Sequence, residues 1–205
     1  MANLITLARF PLLFLYVAFL YYGGFSLRFW SALFIIVIIA MDSIDGIVAR
    51  ARGETSLLGS ALDIATDRTL EIILWVVFAH LGLISIVVPL IVITRGTTVD
   101  AMRAVGMSNG LPPFEQVKSP ISRFLVASRF MRSSYGFLKG AAFTALTLDL
   151  AFHTPGAPYP AFHPTVHTIA LVLTWLAVIW CLLRGIPVLV ESYDLLKNPP
   201  PAKTR

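Results

Sequence analysis

Six stretches of about 20 or more mostly apolar residues follow one another along this chain, each long enough to cross a bilayer as an α-helix. They run from Asn3 to Tyr22, Leu27 to Arg50, Ser56 to His80, Leu83 to Gly106, Ser134 to Phe152 and His163 to Tyr193. Gly185 to Pro187 is expected to cut or bend the last. Turn signals separate them at Tyr22-Gly23-Gly24, Arg52-Gly53-Glu54-Thr55, Gly82, Gly110 to Pro113 and the Pro-rich HTPGAPYPAFHP. A soluble globule would have to hide this surface in one core. Of the 205 residues 57% are hydrophobic and 13% charged, against about 25% charged in soluble domains. A mean hydropathy of +0.80 describes the whole length. The expected fold is all-α and integral to the membrane: a six-transmembrane-helix bundle with a polar cavity on its cytoplasmic side. It is expected to form one domain over residues 1–198, followed by a short cytoplasmic tail at 199–205.

Basic residues orient such a bundle, because Lys and Arg collect in cytoplasmic loops. Arg50 and Arg52 lie in the second loop. Arg103, Lys118, Arg123, Arg129, Arg132 and Lys139 lie in or beside the fourth, and Arg184, Lys197, Lys203 and Arg205 lie towards the C-terminus. Of the opposite loops, only the first has a basic residue, Arg28. Both termini are therefore expected in the cytoplasm. A net charge of +5 would suit nucleic acid, yet no basic domain stands apart from the spans. The expected partner of these charges is the lipid bilayer with its anionic headgroups, and not nucleic acid. MANLITLARF lacks a basic n-region and a cleavage site, so the N-terminus is expected to be retained. Cys181, the single cysteine, excludes an intrachain disulfide and reads as a small buried hydrophobe.

Four aspartates, Asp42, Asp45, Asp63 and Asp67, occupy stretches that otherwise enter lipid, which is expensive and needs a reason. Spacings of three and four put each pair on one helix face. The short loop makes the two helices antiparallel neighbours. At about 1.5 Å per residue, Asp45 then lies roughly 8 Å and Asp63 roughly 10 Å from the cytoplasmic ends. Four like charges at one depth require compensation. An all-oxygen set without His or Cys suits Mg²⁺, with Mn²⁺ as a substitute, and can bridge two ions. Two-metal sites serve phosphoryl transfer. Gly46 and Gly59 allow a backbone or ligand to come close, and Arg50 can clamp a phosphate. A reading from a different class is a cation-coupled transporter. It requires polar residues across the whole bilayer, whereas the outer half offers only Asp149.

These residues also form a recognisable string. Asp42-Ser-Ile-Asp45-Gly46-Ile-Val-Ala49-Arg50, then Gly59, Asp63 and Asp67 at their spacings, resembles the complete signature of the CDP-alcohol phosphotransferase family, with eight fixed positions matched over 26 residues. The resemblance implies an enzyme that transfers a substituted phosphate from a CDP-linked donor to an alcohol, releasing CMP with a divalent metal pair. It implies Asp42, Asp45 and Asp63 as metal ligands, and Asp67 as both a ligand of the second metal and general base. Gly46, Arg50, Ser56 and Gly59 match positions that hold the CDP moiety. Asn3-Leu-Ile-Thr6-Leu-Ala-Arg9 resembles the family's N-terminal segment, which makes Asn3 and Thr6 donor-binding candidates. Relatives are typically homodimers, and a homodimer is expected.

A site about 10 Å below the membrane surface suits CDP-diacylglycerol, whose acyl chains stay in lipid while its head reaches water. For the acceptor, Arg95, Arg103 and Lys139 resemble the phosphate-binding residues of phosphatidylglycerophosphate synthases and favour glycerol 3-phosphate. Arg68 after Asp67 is more similar to inositol-phosphate-using members, the proline usual after the third aspartate is replaced by Ile64, and the pattern of serine-using members is absent. Inositol phosphate is thus the alternative small phosphorylated alcohol.

Other features carry less. Residues 118–139 place Ile121, Phe124 and Leu125 at helical spacing among basic residues, the pattern of an amphipathic helix on the cytoplasmic leaflet that could serve as a lid. His153, His163 and His167 match no common metal spacing, and no Cys or carboxylate completes them, so they are expected to be interfacial loop histidines. Trp30, Trp75, Trp175 and Trp180 are expected to face lipid or fill packing.

Overall fold

The computed structural model describes residues 2–52, 57–108 and 119–197. Seven α-helices follow in order among them: α1 (Ala2–Tyr22), α2 (Phe25–Arg52), α3 (Leu57–His80), α4 (Val87–Ser108), α5 (Pro120–Ala127), α6 (Arg129–Phe152) and α7 (His163–Lys197). A single 3₁₀ turn, Pro160–Phe162, precedes α7, and no strand occurs among the described residues. The described residues are all-α, as the long apolar stretches predict. By length and composition, Phe25–Asp42 and Pro160–Glu191 qualify to cross a membrane, and Thr6–Tyr22 is a shorter apolar helix. The six-span count thus goes beyond what helix length and composition establish. Charges embedded in α3 and α4, such as Asp63, Asp67, Arg95 and Arg103, interrupt their apolar runs.

The helices divide into two compact units, residues 1–89 with 139–174, and residues 90–138 with 175–205. In the first, α1 packs on α2 and α3. Leu13, Tyr16 and Leu20 of α1 recur at helical spacing and meet a core that includes Ile35, Ile38, Leu74, Trp75, Phe78, Phe143 and Leu146, all buried. The Trp75 and Phe143 rings contact edge to face with centroids 4.7 Å apart. The turn from α1 to α2 is closed by Arg28, which donates to the carbonyl oxygens of Leu20 (3.0 Å) and Tyr21 (3.2 Å) and to the Thr154 hydroxyl (2.9 Å). This lone basic residue of its loop therefore caps the end of a helix. Helix α3 stops at Gly82, whose φ of +75° suits glycine. The Gly82 and Leu83 amides return to the carbonyls of Ala79 and Phe78 in a Schellman pair. Large apolar side chains such as Phe14, Trp30, Leu33 and Val172 point outward, as they do on a lipid-facing surface.

In the second unit, Val99, Val126 and Val188 form a buried cluster with Leu189 against it. The Trp180 indole N–H donates to the Ser134 hydroxyl at 3.0 Å, and the Ser119 amide to the Glu191 carboxylate at 3.4 Å.

Two local expectations are corrected. The amphipathic stretch is not one helix, because Ser128 adopts extended backbone (ψ 143°) and separates α5 from α6, whose first turn carries Arg129 and Arg132. Ile121 and Phe124 on α5 are exposed, as a surface-lying helix requires. Second, α7 is not cut near Gly185 but runs unbroken through Pro187. A proline removes one backbone donor, a loss that packed helices tolerate.

Candidate active site

The first unit draws its acids together around one cation. Arg9, buried on α1, donates through Nη1 to Asp42 Oδ1 on α2 (2.7 Å) and through Nη2 to Asp67 Oδ1 on α3 (2.8 Å). The Arg9 side chain is 3% exposed, whereas Asp42 and Asp67 are 35% and 49% exposed, so the guanidinium closes the inner side of the cluster and the carboxylates open outward. Asp67 and Asp63, one turn before it, both repel the Asp42 carboxylate. One short helix spacing, Asp63 to Asp67, and one long-range arginine thus bring Asp42, Asp63 and Asp67 to one place. Thr6 is buried one turn before Arg9, and Gly59 is half-buried one turn before Asp63.

The side chains of Asn3, Asp45, Gly46 and Arg50, and the whole of Ser56, lie outside the described residues.

Arg9 lies in the N-terminal segment, and nothing local in the sequence marks its contacts 33 and 58 residues away. The signal that could have found it is the cost of an arginine inside an apolar helix, which requires an anion beside it.

The fit to a metal can be tested on this geometry. The donors are carboxylate oxygens, they converge from two helices, and they already hold a cationic group between them. That set suits a hard divalent ion better than a soft one.

The second unit concentrates positive charge. Arg95 and Arg103 lie two turns apart on α4, and Arg184 on α7 feels like charge from both and from Arg132 on α6. The Arg184 guanidinium stands over the Tyr135 ring at 5.3 Å. Gly185 gives Arg95 its path, since a Cβ there would meet the Arg95 side chain at Cγ and Nε. The Nε atoms of Arg95 and Arg184 are buried and make no hydrogen bond. Guanidinium groups so gathered have the donor geometry that matches an anion with several acceptor oxygens. Arg132, Arg184 and Tyr135 were not assigned to the acceptor site from the sequence. Lys139, the third expected acceptor residue, belongs to the first unit, where its Nζ pairs with the buried Glu71 at 3.3 Å; Arg68 pairs with the same oxygen at 3.5 Å.

The family model for CDP-alcohol phosphatidyltransferase matches residues 1–183. The chain belongs to the CDP-alcohol phosphatidyltransferase family. No curated protein matches it. Members of the CDP-alcohol phosphatidyltransferase family are transferases that move a phosphatidyl group from a CDP-alcohol, and they are generally metal-dependent. Together with the apolar helices, membership points to a membrane protein. The matched region contains both clusters apart from Arg184, which follows it directly.

Proposed function

We propose that this protein is a phospholipid-synthesising enzyme that moves the phosphatidyl group of CDP-diacylglycerol onto the hydroxyl of a small phosphorylated alcohol, best glycerol 3-phosphate, and releases CMP. The observation that carries the reading is the convergence of Asp42 and Asp67 on the Arg9 guanidinium. It supports a place where carboxylates from two helices hold cationic charge against a diphosphate. Asp42, Asp45 and Asp63 would hold Mg²⁺, with Asp67 shared by a second ion; Mn²⁺ has the same ligand preference. Divalent ions held there would supply the positive charge that offsets the donor diphosphate and the departing CMP. Asp67 takes the acceptor's hydroxyl proton while that oxygen bonds to phosphorus and the bond to CMP breaks. Asn3, Thr6, Gly46, Arg50, Ser56 and Gly59 bind the CDP moiety. Arg95 and Arg103, with Arg184 beside them, take the acceptor's phosphate, a reading supported by the buried Nε atoms of Arg95 and Arg184, which make no hydrogen bond. The same chemistry fits inositol phosphate, which Arg68 favours.

The enzyme is assigned to a six-span homodimer with its cavity open to the cytoplasm. CMP release from CDP-diacylglycerol, measured with Mg²⁺ and a panel of glycerol 3-phosphate, inositol phosphate, serine and free polyols, tests the assignment. Release with the first acceptor above the others is expected, and release with serine or unphosphorylated polyols alone would overturn the acceptor reading.

A further inference from the structure

The structure corrects the expectation for the histidines. His163 and His167 stand four apart on the first turns of α7, on one face, and the turn after α6 brings them back against Asp149 in the last turn of α6. His167 Nδ1 lies 2.9 Å from Asp149 Oδ2, and His163 Nε2 lies 3.3 Å from Asp149 Oδ1 and 3.4 Å from His153 Nδ1. The missing carboxylate was 14 residues upstream of His163, on the preceding helix, where no motif spacing reveals it.

Asp149 is fully buried, at 0% exposure, and its Oδ1 makes no hydrogen bond even though it faces His163. A buried carboxylate in this state needs charge beside it. Its histidine neighbours are part-exposed, so the cluster has an open side. One ligand atom from each of Asp149, His163 and His167 can be chosen within 4.8 Å of the others. Zinc bonds of about 2.0–2.2 Å in a tetrahedron imply ligand atoms roughly 3.3–3.6 Å apart, and the separations of 3.3 and 3.4 Å match that edge. The shorter 2.9 Å contact is a hydrogen bond that a metal would replace.

We propose that Asp149, His163 and His167, with His153 as a fourth ligand or beside a water, form a binding site for Zn²⁺ or a similar imidazole-preferring divalent cation. The donor set is nitrogen-rich, unlike the all-oxygen acid cluster, and selects against Mg²⁺. The two places are well apart in the first unit. Arg28 on α2 bonds Thr154 just after α6, and Asp42 follows 14 residues later, roughly 21 Å along the helix. The ion clamps the turn between α6 and α7, a structural role independent of phosphatidyl transfer.

The test uses the full chain in detergent, stripped with chelator and held in millimolar Mg²⁺ so that hard-ion sites are filled. Zn²⁺ is then titrated, with bound metal counted by mass spectrometry, and Co²⁺ serves as a spectroscopic probe. One Zn²⁺ per chain is expected, with ligand-field bands of a nitrogen-bound Co²⁺ and a Zn²⁺-dependent rise in Tm. At least tenfold weaker binding is expected in His167→Ala and in His163→Ala. His167 is part-exposed, so His167→Ala is the milder variant should Asp149→Asn fail to fold. Equal Zn²⁺ stoichiometry in the wild type and the His163→Ala/His167→Ala double variant, or no Zn²⁺ on the wild type, would overturn the site.

Discussion

Single charges decide most of what this chain can do, because each is costly where it stands. Asp67→Asn keeps the size and the hydrogen-bonding ability of the side chain but removes its capacity to take a proton. CMP release is expected to fall by roughly 10²–10⁴-fold while CDP-diacylglycerol still binds. Near-normal turnover in that variant would refute its role as base. Arg9 makes a different prediction. Its two charge-assisted bonds hold carboxylates that otherwise repel each other, and Arg9→Gln removes the positive charge while leaving a polar group. The carboxylates are partly solvated, so the loss should be modest, about 1.5–3 kcal/mol, or roughly 3–12 °C in Tm without divalent ions. Mg²⁺ should recover part of that loss, since it supplies the missing counter-charge. A Tm equal to wild type in chelator would show that the bridge contributes nothing. Asp42, Asp63 and Asp67 were legible in the sequence because carboxylates in apolar helices have few other uses. Their partner Arg9, and the meeting of Asp149 with the histidines, were not, since pairing across a tertiary fold leaves no local spacing to read.

At the level of helices, sequence and structure agree closely at the starts and ends and part company inside. Gly82 ends α3 for a reason visible in one residue, its positive φ. The proline in α7 and the serine between α5 and α6 behave against simple expectation, because neighbouring packing and one extended residue decide there. Gly185 shows how an element can serve a site. Exchanging glycine for alanine inside a helix ordinarily stabilises it by about 1 kcal/mol. Here the new Cβ would meet the Arg95 side chain and push it off α7. Gly185→Ala is therefore expected to raise the acceptor's KM about tenfold, leave the donor's KM unchanged and bring no gain in Tm. Arg95→Lys should act in the same direction, since an ammonium cannot form the paired bonds of a guanidinium with phosphate. A higher Tm with unaltered acceptor kinetics in Gly185→Ala would mean that the glycine has no part in placing Arg95.

For the whole molecule, the decisive question is which side of the membrane the acids and arginines face. A phosphorylated acceptor is charged and cannot cross lipid, so the enzyme must open towards the compartment that supplies it. Residues 107–133 carry Lys118, Arg123, Arg129 and Arg132, whereas residues 154–162 carry neither Lys nor Arg. By the bias of basic residues towards the cytoplasm, the first is expected to face inward and the second outward. Cys181, at 1% exposure, gives a silent background for thiol labelling. Met107 and Pro155 are both exposed and accept a cysteine at the surface. With a membrane-impermeant maleimide, Pro155→Cys should label in intact cells, while Met107→Cys should label only after the membrane is opened. Labelling of Met107→Cys in intact cells would reverse the orientation, put the arginine cluster on the wrong side for a cytoplasmic phosphorylated alcohol, and remove that acceptor from the assignment.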